Sequence, residues 1–282
     1  MKTFKDKVAA ITGAGSGIGR ALAVDLAGRG CHLALSDVNR ESLTQTVELA
    51  QKAGPSVRIT SVKLDVSDRA AVHAWADQVV AEHGRVNLIF NNAGVAHGST
   101  IEAAAYEDFE WIMGINFWGV VHGTKAFLPH LRKAGDGHVV NISSVFGIIG
   151  VPTQGTYNAT KFAVRGFTEA LRQELDIQGG AVSATSVHPG GIKTNIANAA
   201  RFDKSTSEIT GQTQESSKRN FEKMFRTTPE EAASTILRGV EKNARRVLIG
   251  ADARVIDVMQ RMMPSGYQRI LGGLAKRQKQ RA

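Results

Sequence analysis

The sequence predicts an α/β protein with a single doubly wound (Rossmann) domain, in which a predominantly parallel seven-stranded sheet carries helices on both faces. Three observations lead to this prediction. Apolar runs of strand length alternate with stretches of helical periodicity, a glycine-rich turn follows the first run, and polar residues stand where the runs end. Right-handed crossovers then bring the carboxyl ends of the strands to one edge of the sheet, where ligands bind.

The predicted elements follow one another without an evident linker, repeat or low-complexity tract. Strands are expected at Val8–Thr12, His32–Ser36, Arg58–Leu64, Val86–Asn91, His138–Ser143, Ala181–Val187 and Arg246–Ile249. The two longest helices are expected at Asp108–Arg132 and Tyr157–Gln178. A chain of 282 residues can bury a large core as one domain. We therefore predict one domain over residues 1–250 and a basic, helical extension over 251–282.

The turn after the first strand reads TGAGSGIG from Thr12 to Gly19. Its glycines at 13, 17 and 19 follow GxxxGxG, not the more common GxGxxG spacing. Glycine lacks the Cβ atom that would hold a pyrophosphate away from backbone N–H groups, and the following helix offers unpaired donors. Asp37 ends the second strand, twenty residues after Gly17, where a carboxylate can bind the ribose of a dinucleotide. Together these features predict a dinucleotide site.

Tyr157 and Lys161, in the stretch YNATK, are four residues apart. On a helix both side chains would lie on one face, one turn apart. An adjacent ammonium group favours the phenolate, so in a partly dry site we expect the Tyr157 pKa to fall below its ordinary value of about 10. Such a phenol can exchange a proton near neutral pH. The pair alone also fits an ordinary surface helix, but its place among the other motifs favours the chemical interpretation.

Six further motifs accompany this pair in a fixed order. They are TGAGSGIG, Asp65-Val66 after the third strand, NNAG at Asn91–Gly94, Asn116 in INFWG, NISS at Asn141–Ser144, and HPGG at His188–Gly191 with Thr194. Ser144 stands thirteen residues before Tyr157. From about Lys5 to Gly250 the chain therefore resembles the short-chain dehydrogenase/reductase family.

The resemblance implies an oxidoreductase that moves a hydride between a nicotinamide and a carbon bearing oxygen. It implies that Tyr157 exchanges the hydroxyl proton, that Lys161 lowers the Tyr157 pKa and binds the nicotinamide ribose, and that Asn116 holds a water for proton relay. Ser144 would hydrogen-bond the substrate oxygen, and the substrate would contact Ser144, Phe146 and Tyr157. Simpler interpretations stay open: Ser144 as a hydroxyl that ends a strand, and Asn116 as an amide bonded to its own helix.

The same resemblance implies a set of cofactor contacts. These are Gly13, Ser16, Gly17, Ile18, Gly19, Asp37, Asp65, Val66, Asn92, Ala93, Gly94, Tyr157, Lys161, Pro189, Gly190, Ile192 and Thr194. Asp37 would repel the 2′-phosphate of NADP, and the basic residue that accompanies NADP in such enzymes is absent at Ser16 and Val38. We therefore predict NAD and leave NADP open, because Arg20 and Arg40 are close in sequence.

The substrate is expected to be a secondary alcohol or ketone with a hydrophobic body, because an apolar stretch follows Ser144. Sugar, steroid, retinoid, small diol and acyl-thioester substrates stay open. The polar segment 195–226 corresponds to a substrate lid in the family. Family members assemble through the two long helices, so a homodimer or homotetramer is expected.

No metal is required. Seven histidines show no ligand spacing and are interpreted as surface or packing residues: His73, His83, His97, His122, His130, His138 and His188.

The formal net charge of +9 is concentrated at the carboxyl end, where the last 25 residues carry six Lys or Arg and no acid follows Asp257. Apolar residues recur there at roughly helical spacing. They could touch an anionic membrane, or they could pack on the body or on a partner subunit, which we favour.

Cys31 is expected to be a small buried filler. With no targeting segment at the amino terminus and no apolar run of spanning length, a cytoplasmic protein is expected.

Three other functions compete with this interpretation. An NADP-dependent carbonyl or ketoacyl reductase would use the same residues. A catalytically silent NAD-binding regulator would have no need to keep Asn116, Ser144, Tyr157 and Lys161 together. A nucleic-acid partner is not expected, since the basic residues form no stripe interleaved with aromatic side chains.

Overall fold

A computed structural model describes residues 1–194, 196, 200–211 and 227–280. Its main sheet consists of β1 (Val8–Thr12), β2 (His32–Asp37), β3 (Ile59–Lys63), β4 (Leu88–Asn91), β6 (Gly137–Ile142), β7 (Val182–Pro189) and β9 (Arg246–Ile249). The strands are all parallel and lie in the order β3-β2-β1-β4-β6-β7-β9. A second, two-stranded pair joins β5 (His97–Gly98) to β8 (Arg201–Phe202). The structure thus confirms the predicted fold.

The described helices lie between and after these strands. They are α1 (Gly17–Gly28), α2 (Arg40–Ala53), α3 (Arg69–His83), α4 (Tyr106–Met113), α5 (Gly119–Lys133), α6 (Gly155–Gln178), α7 (Ser205–Thr210), α8 (Pro229–Glu241), α9 (Ala251–Met262) and α10 (Gly266–Lys279). In the part of the chain that the structure describes, no helix combines the length and the apolar composition needed to cross a membrane.

Two apolar layers cover the sheet. One joins α1, α2 and α8 to one face, and the other joins α3, α5 and α6 to the opposite face. Side chains alternate along a strand, so Ala9 and Ile11 of β1 enter the first layer while Val8 and Ala10 enter the second. Because β1 lies between β2 and β4, the direction of the crossovers reverses at β1. The crevice at this reversal, outside the carboxyl ends of the strands, is the usual ligand site of such sheets.

The single helix predicted over Asp108–Arg132 is divided in the structure. A turn of π-helix, Gly114–Trp118, joins α4 to α5. At Gly119, where α5 begins, a Cβ atom would stand 2.7 Å from the Val66 side chain, so the helix can pass this close only with glycine. Periodicity does not reveal an inserted residue of this kind, and π turns occur often at functional sites.

The extension after residue 250 packs on the loop that follows β6. Tyr267 of α10 is buried with Ile148 and Ile149, and Ile256 and Leu271 border this small cluster. The Tyr267 hydroxyl also accepts a hydrogen bond from the Gly150 N–H at 3.0 Å. One apolar side of the extension therefore covers the body of the protein.

Candidate active site

Three of the predicted catalytic residues meet where β6 ends and α6 begins. Ser144 follows β6 by two residues, and Tyr157 and Lys161 lie in the first two turns of α6. The Ser144 side chain lies beside the Tyr157 phenol and favours its phenolate form. The Lys161 ammonium lies 5.6 Å from the centre of the Tyr157 ring. The helical spacing therefore places these groups beside one another, as the sequence predicts.

The Tyr157 pKa differs from the sequence-based expectation. Burial raises this pKa to about 12, although the neighbouring Ser144 side chain acts in the opposite direction. The Phe146 ring packs edge-on against the phenol at 5.8 Å between centroids and adds to its apolar surroundings. The expectation of a lowered pKa was therefore wrong for the chain without its ligands, because desolvation disfavours the phenolate more strongly than the neighbouring groups favour it.

Lys161 is buried and oriented by the backbone. Its Nζ donates to the Ile142 carbonyl at 3.0 Å, and burial lowers its pKa to about 8. A Cβ atom on Gly94 would stand 3.5 Å from this Nζ. Lys161 thus lies beside the glycine that follows β4, at the edge of the sheet where a cofactor would bind.

Ser144 is held in place through its backbone. Its hydroxyl oxygen accepts from the Phe146 N–H at 3.1 Å, and its carbonyl lies 3.0 Å from Nδ1 of His188. A carbonyl only accepts, so Nδ1 carries the proton and Nε2 is left to accept from the Ser186 hydroxyl at 3.0 Å. Burial lowers the His188 pKa to about 4 and keeps this ring neutral. The sequence predicts only a packing role for His188. Its contact with Ser144 could not be predicted, because the two residues lie 44 positions apart.

Asn116 lies in the π turn and is fully buried. Its Oδ1 accepts from the Val95 N–H at 2.8 Å, and its Nδ2 donates to the Val95 carbonyl at 2.9 Å and to Thr160 Oγ1 at 3.2 Å. The amide therefore does not bond to its own helix. It fixes the segment after β4 against α6, beside Gly94 and Lys161.

The glycine turn is packed too tightly for other residues. Gly13 has φ +63°, and a Cβ there would stand 2.7 Å from Ala93 Cα. A Cβ on Gly19 would stand 2.2 Å from the Gly13 carbonyl oxygen. Asn92 donates its amide hydrogens to the Thr12 and Gly13 carbonyls at 3.0 Å each, so this predicted cofactor contact supports the turn from below.

The N-terminus of α1 is the feature of this turn that fits a dinucleotide. Ser16 precedes α1 but its side chain makes no capping hydrogen bond, and no acid lies in the first turn. In contrast, α2, α3 and α8 are capped by Asn39, Asp68 and Thr228. The first N–H groups of α1, Ile18 among them, thus remain available for an anion such as a pyrophosphate.

Asp37 ends β2 beside the turn, as predicted. Its two carboxylate oxygens accept from the Gly15 N–H and the Asn39 N–H, both at 2.8 Å. Arg20 donates to the Gly15 and Ser42 carbonyls. Asp65 follows β3, is exposed and accepts from the Ser67 N–H and hydroxyl, while its neighbour Val66 is buried.

The loop after β7 closes the other side of the crevice. A Cβ on Gly17 would stand 3.0 Å from the Thr194 methyl group, so this loop reaches the glycine turn. Pro189 ends β7, and Ile192 is buried in the core with its backbone bridged to Thr227. The sequence-predicted contacts of this loop therefore lie next to those of the turn.

Asp252, in the first turn of α9, is a residue that sequence reasoning missed. Its carboxylate accepts from the Gly191 N–H at 2.7 Å. A Cβ on Gly190 would stand 2.2 Å from the same carboxylate, and one on Gly250 would stand 2.3 Å from it. The extension thus holds the loop after β7 by a contact between residues 61 positions apart, which no local pattern indicates.

A second cluster of polar contacts, around His97, could not be predicted from the sequence either. His97 of β5 lies 2.9 Å from Thr156 Oγ1, through Nδ1, and 3.5 Å from Asp108, through Nε2. Asp108 also pairs with Arg201 of β8 at 3.3 Å. Because Thr156 directly precedes Tyr157, this group ties the start of α6 to β8.

The predicted lid, 195–226, lies only partly within the described residues. Residues 195, 197–199 and 212–226 lie outside them, and 200–211 contribute β8 and α7. Ser205 of α7 accepts from the Thr100 N–H at 3.1 Å. In the described ranges, no three His, Cys, Asp or Glu side chains are arranged to hold a metal ion.

A crevice with an open helix N-terminus, a carboxylate for ribose and a Tyr–Lys–Ser group whose lysine is buried defines a dinucleotide-binding oxidoreductase of the α/β class. The comparisons with known proteins agree. Residues 7–205 match the family model described as short chain dehydrogenase. The chain therefore belongs to the short-chain dehydrogenase/reductase family.

Three similar proteins support this assignment. The Mycobacterium tuberculosis oxidoreductase SadH is 51% identical over 98% of both chains. The C alpha-dehydrogenase of a Sphingobium species is 35% identical over 88% of this chain and 82% of that protein. A short-chain dehydrogenase/reductase from Burkholderia phymatum, crystallised with NAD, is 32% identical, covers 93% of this chain and 95% of its own, and has a TM-score of 0.84. The cofactor class is accordingly NAD(P).

Proposed function

We propose that this protein is an NAD-dependent dehydrogenase that interconverts a secondary alcohol and a ketone on a mostly hydrophobic substrate. The observation that carries the proposal is the group formed by Tyr157, Ser144 and the buried Lys161, placed between the glycine turn and an apolar loop. A proton-transfer residue, an oxygen-binding hydroxyl and a fixed cation are the groups that this reaction needs.

In the direction of oxidation, the Ser144 hydroxyl binds the substrate oxygen and Tyr157, as phenolate, removes its proton. This proton transfer leaves Tyr157 as a neutral phenol. NAD, when bound, would supply the ring that accepts the hydride from the carbinol carbon as the ketone forms, and its oxidised ring would carry a positive charge that favours the phenolate. Lys161 adds a second positive charge beside Tyr157. Asn116 holds the segment after β4 that lies beside Lys161.

The preference for NAD rests on Asp37. Its carboxylate is fixed between two backbone N–H groups, and Val38, which follows it, is exposed and uncharged. A 2′-phosphate placed here would meet a like charge, while ribose hydroxyls would find an acceptor. We expect NAD to bind at least about tenfold more tightly than NADP, a difference of about 1.4 kcal/mol.

The substrate proposal rests on the apolar side chain beside Tyr157. The Phe146 ring packs edge-on against the phenol. Ile148 and Ile149 of the same loop are covered by α10, so they support this loop from behind. The name of the Sphingobium relative, a C alpha-dehydrogenase, agrees with oxidation at carbon. Two aromatic side chains, Trp118 and Phe162, remain exposed on the long helices, which supports the expectation of a homo-oligomer.

The experiment is a panel of secondary alcohols with NAD and NADP, and of the matching ketones with NADH and NADPH, followed by nicotinamide absorbance. The panel ranges from small polar to large apolar compounds. We expect turnover with NAD or NADH and an increase in kcat/KM with apolar size. Turnover confined to NADPH-dependent reduction would favour a carbonyl reductase instead, and NAD binding without any turnover would favour a silent regulator.

A double variant tests the cofactor assignment separately. Asp37→Ala with Val38→Arg removes the like charge and adds a cation, so its order of affinity should reverse in favour of NADP. Asp65→Ala, in the exposed carboxylate after β3, serves as the matched control and should keep the preference for NAD. Equal affinities of NAD and NADP in the wild type, by calorimetric titration, would defeat the assignment.

A further inference from the structure

Helix α9 carries apolar residues on two opposite faces. Ala253 and Ile256 face the body of the protein, next to the cluster beneath Tyr267. On the opposite face, Val255, Val258 and Met262 are 66%, 59% and 78% exposed. Their spacing of three and four residues places them in one row along the helix. We call Val255, Val258 and Met262 the outer stripe.

The packing of this chain alone does not explain the exposed outer stripe. A surface helix of a globular protein normally turns one apolar face to the core and polar residues to the solvent. Here the core-facing side is already occupied, so the outer stripe does not serve the packing of this chain. The next helix repeats the pattern: Tyr267 and Leu271 of α10 pack inward, while Ile270 and Leu274 are largely exposed.

The unpaired charges of the extension are of one sign. Arg254, Arg269, Lys276 and Arg277 are exposed, and none of them has an ion-pair partner within the ranges that the structure describes. Both acids of the extension are used elsewhere. Asp252 accepts from the Gly191 N–H, and Asp257 pairs with Arg246 and Arg261 at 2.8 Å each. The exposed side of the extension thus combines apolar side chains with uncompensated positive charge.

We propose that the outer stripe docks on the surface of a bilayer that contains anionic lipid, with α9 lying in the interface. Apolar side chains between flanking cations are the features that bind such a surface. A second copy of this chain fits less well. A symmetric contact places the same patch on both partners, so Arg254 and Arg269 would approach their own copies without an acid between them.

Docking here would leave the catalytic group intact. The inner face of α9 and α10 covers the loop of Ile148 and Ile149 that follows Ser144, so the outer stripe lies on the far side of that cover. The proposal therefore stands whether or not the substrate proves to be an alcohol. It goes beyond the proposed function in that it names a surface at which the enzyme would work.

Vesicle flotation of the full-length protein tests the proposal. One set of vesicles contains phosphatidylcholine alone and the other contains phosphatidylcholine with phosphatidylglycerol. The stripe variant is Val255→Ser with Val258→Ser and Met262→Ser. The matched control is Ile177→Ser at the end of α6, where an apolar side chain is 86% exposed outside the extension. Circular dichroism and sedimentation velocity accompany each protein.

We expect wild type and the Ile177→Ser control to float with the anionic vesicles, and the stripe variant to lose on the order of tenfold or more of its bound fraction. Salt at about 1 M should weaken the binding of wild type, because it screens the cations. Equal flotation of wild type and the stripe variant would overturn the proposal. So would a stripe variant that sediments as a smaller species while wild type fails to float, since the stripe would then be a contact between copies.

Discussion

At the scale of single residues, burial sets the protonation of the catalytic pair. Tyr157 and Lys161 both lie in a dry environment, which disfavours both charged forms and moves their pKa values to about 12 and about 8. The ordinary values are 10.0 and 10.5. Lys161, rather than Tyr157, is therefore the group of this pair that titrates first when no ligand is bound.

A stability measurement tests the burial of Lys161. Between its folded pKa of about 8 and its ordinary value of 10.5, the unfolded chain binds a proton that the folded protein lacks. The free energy of unfolding therefore rises with pH in this window, by at most about 3 kcal/mol from this group. The variant Lys161→Met should lack this contribution. Urea unfolding of both proteins at about pH 7 and about pH 10 checks it; parallel changes in the two would contradict it.

The role of Asp252 in positioning the loop after β7, through its hydrogen bond with Gly191, can be tested by substitution. Asp252→Ala removes the acceptor of the Gly191 N–H. We expect its NAD dissociation constant to rise several-fold, up to about tenfold, because the loop after β7 loses a charge-assisted hydrogen bond. Asp252→Asn keeps an oxygen acceptor and should restore most of the affinity. Calorimetric titration beside thermal unfolding separates loop positioning from a general loss of fold, and unchanged NAD affinity in Asp252→Ala would rule out the role.

Contacts between residues close together in the chain could be predicted from the sequence, whereas contacts between distant residues could not. The spacing within one helix predicts that Tyr157 lies beside Lys161. The hydrogen bonds of His188 to Ser144 and of Asp252 to Gly191 join residues far apart in the chain, and their types alone do not identify a partner. The direction of the Tyr157 pKa shift was missed for a related reason, since burial depends on the packing of Phe146 and of the whole loop around it.

At the scale of elements, the sign of a ligand is the open N-terminus of α1 together with its surroundings. Side chains cap α2, α3 and α8, whereas α4, α6, α7 and α9 lack a side-chain cap as α1 does. What distinguishes α1 is that its N-terminus follows the glycine turn and lies beside the Asp37 carboxylate. The strands could be placed to within about two residues from apolar runs. The π turn between α4 and α5 could not be placed from the sequence, because the close approach of Gly119 to Val66 depends on how distant elements pack.

Two glycine substitutions should have opposite effects. Gly19→Ala places a Cβ 2.2 Å from the Gly13 carbonyl, so the turn must open. We expect it to lose NAD binding and about 1–3 kcal/mol of stability. Gly272→Ala, in α10 and outside the predicted subunit contact, meets no atom within 4 Å and should stabilise the protein by up to about 1 kcal/mol. Denaturant unfolding and NAD titration measure both, and a Gly19→Ala variant with normal NAD affinity would refute the close-approach argument.

At the scale of the whole molecule, the order and direction of the strands follow from the alternation of elements and from right-handed crossovers. The role of the carboxyl-terminal extension does not follow from them. Its periodicity indicated a helix with an apolar stripe, but a sequence does not show that one side packs on Ile148 while the other stays exposed.

Self-association is a prediction at this scale. Trp118 and Phe162 expose large aromatic surface on the π turn and on α6. We expect Trp118→Ser with Phe162→Ser to shift the protein toward a monomer in sedimentation equilibrium, because apolar area is lost from the contact. Tyr106→Ser, a similarly exposed aromatic position on α4, is the control and should retain the assembly. A monomeric wild type would contradict the prediction.

The central claim is that Tyr157 exchanges the substrate proton next to a bound nicotinamide. The most direct measurement compares wild type with Tyr157→Phe, both in NAD affinity and in kcat for the best alcohol of the panel. We expect the NAD dissociation constant to rise by no more than about threefold, since the phenol hydroxyl is only one of many predicted cofactor contacts and a single hydrogen bond contributes little to affinity. The kcat value should fall by about 10²–10⁴-fold. A variant that turns over at the wild-type rate would contradict the account.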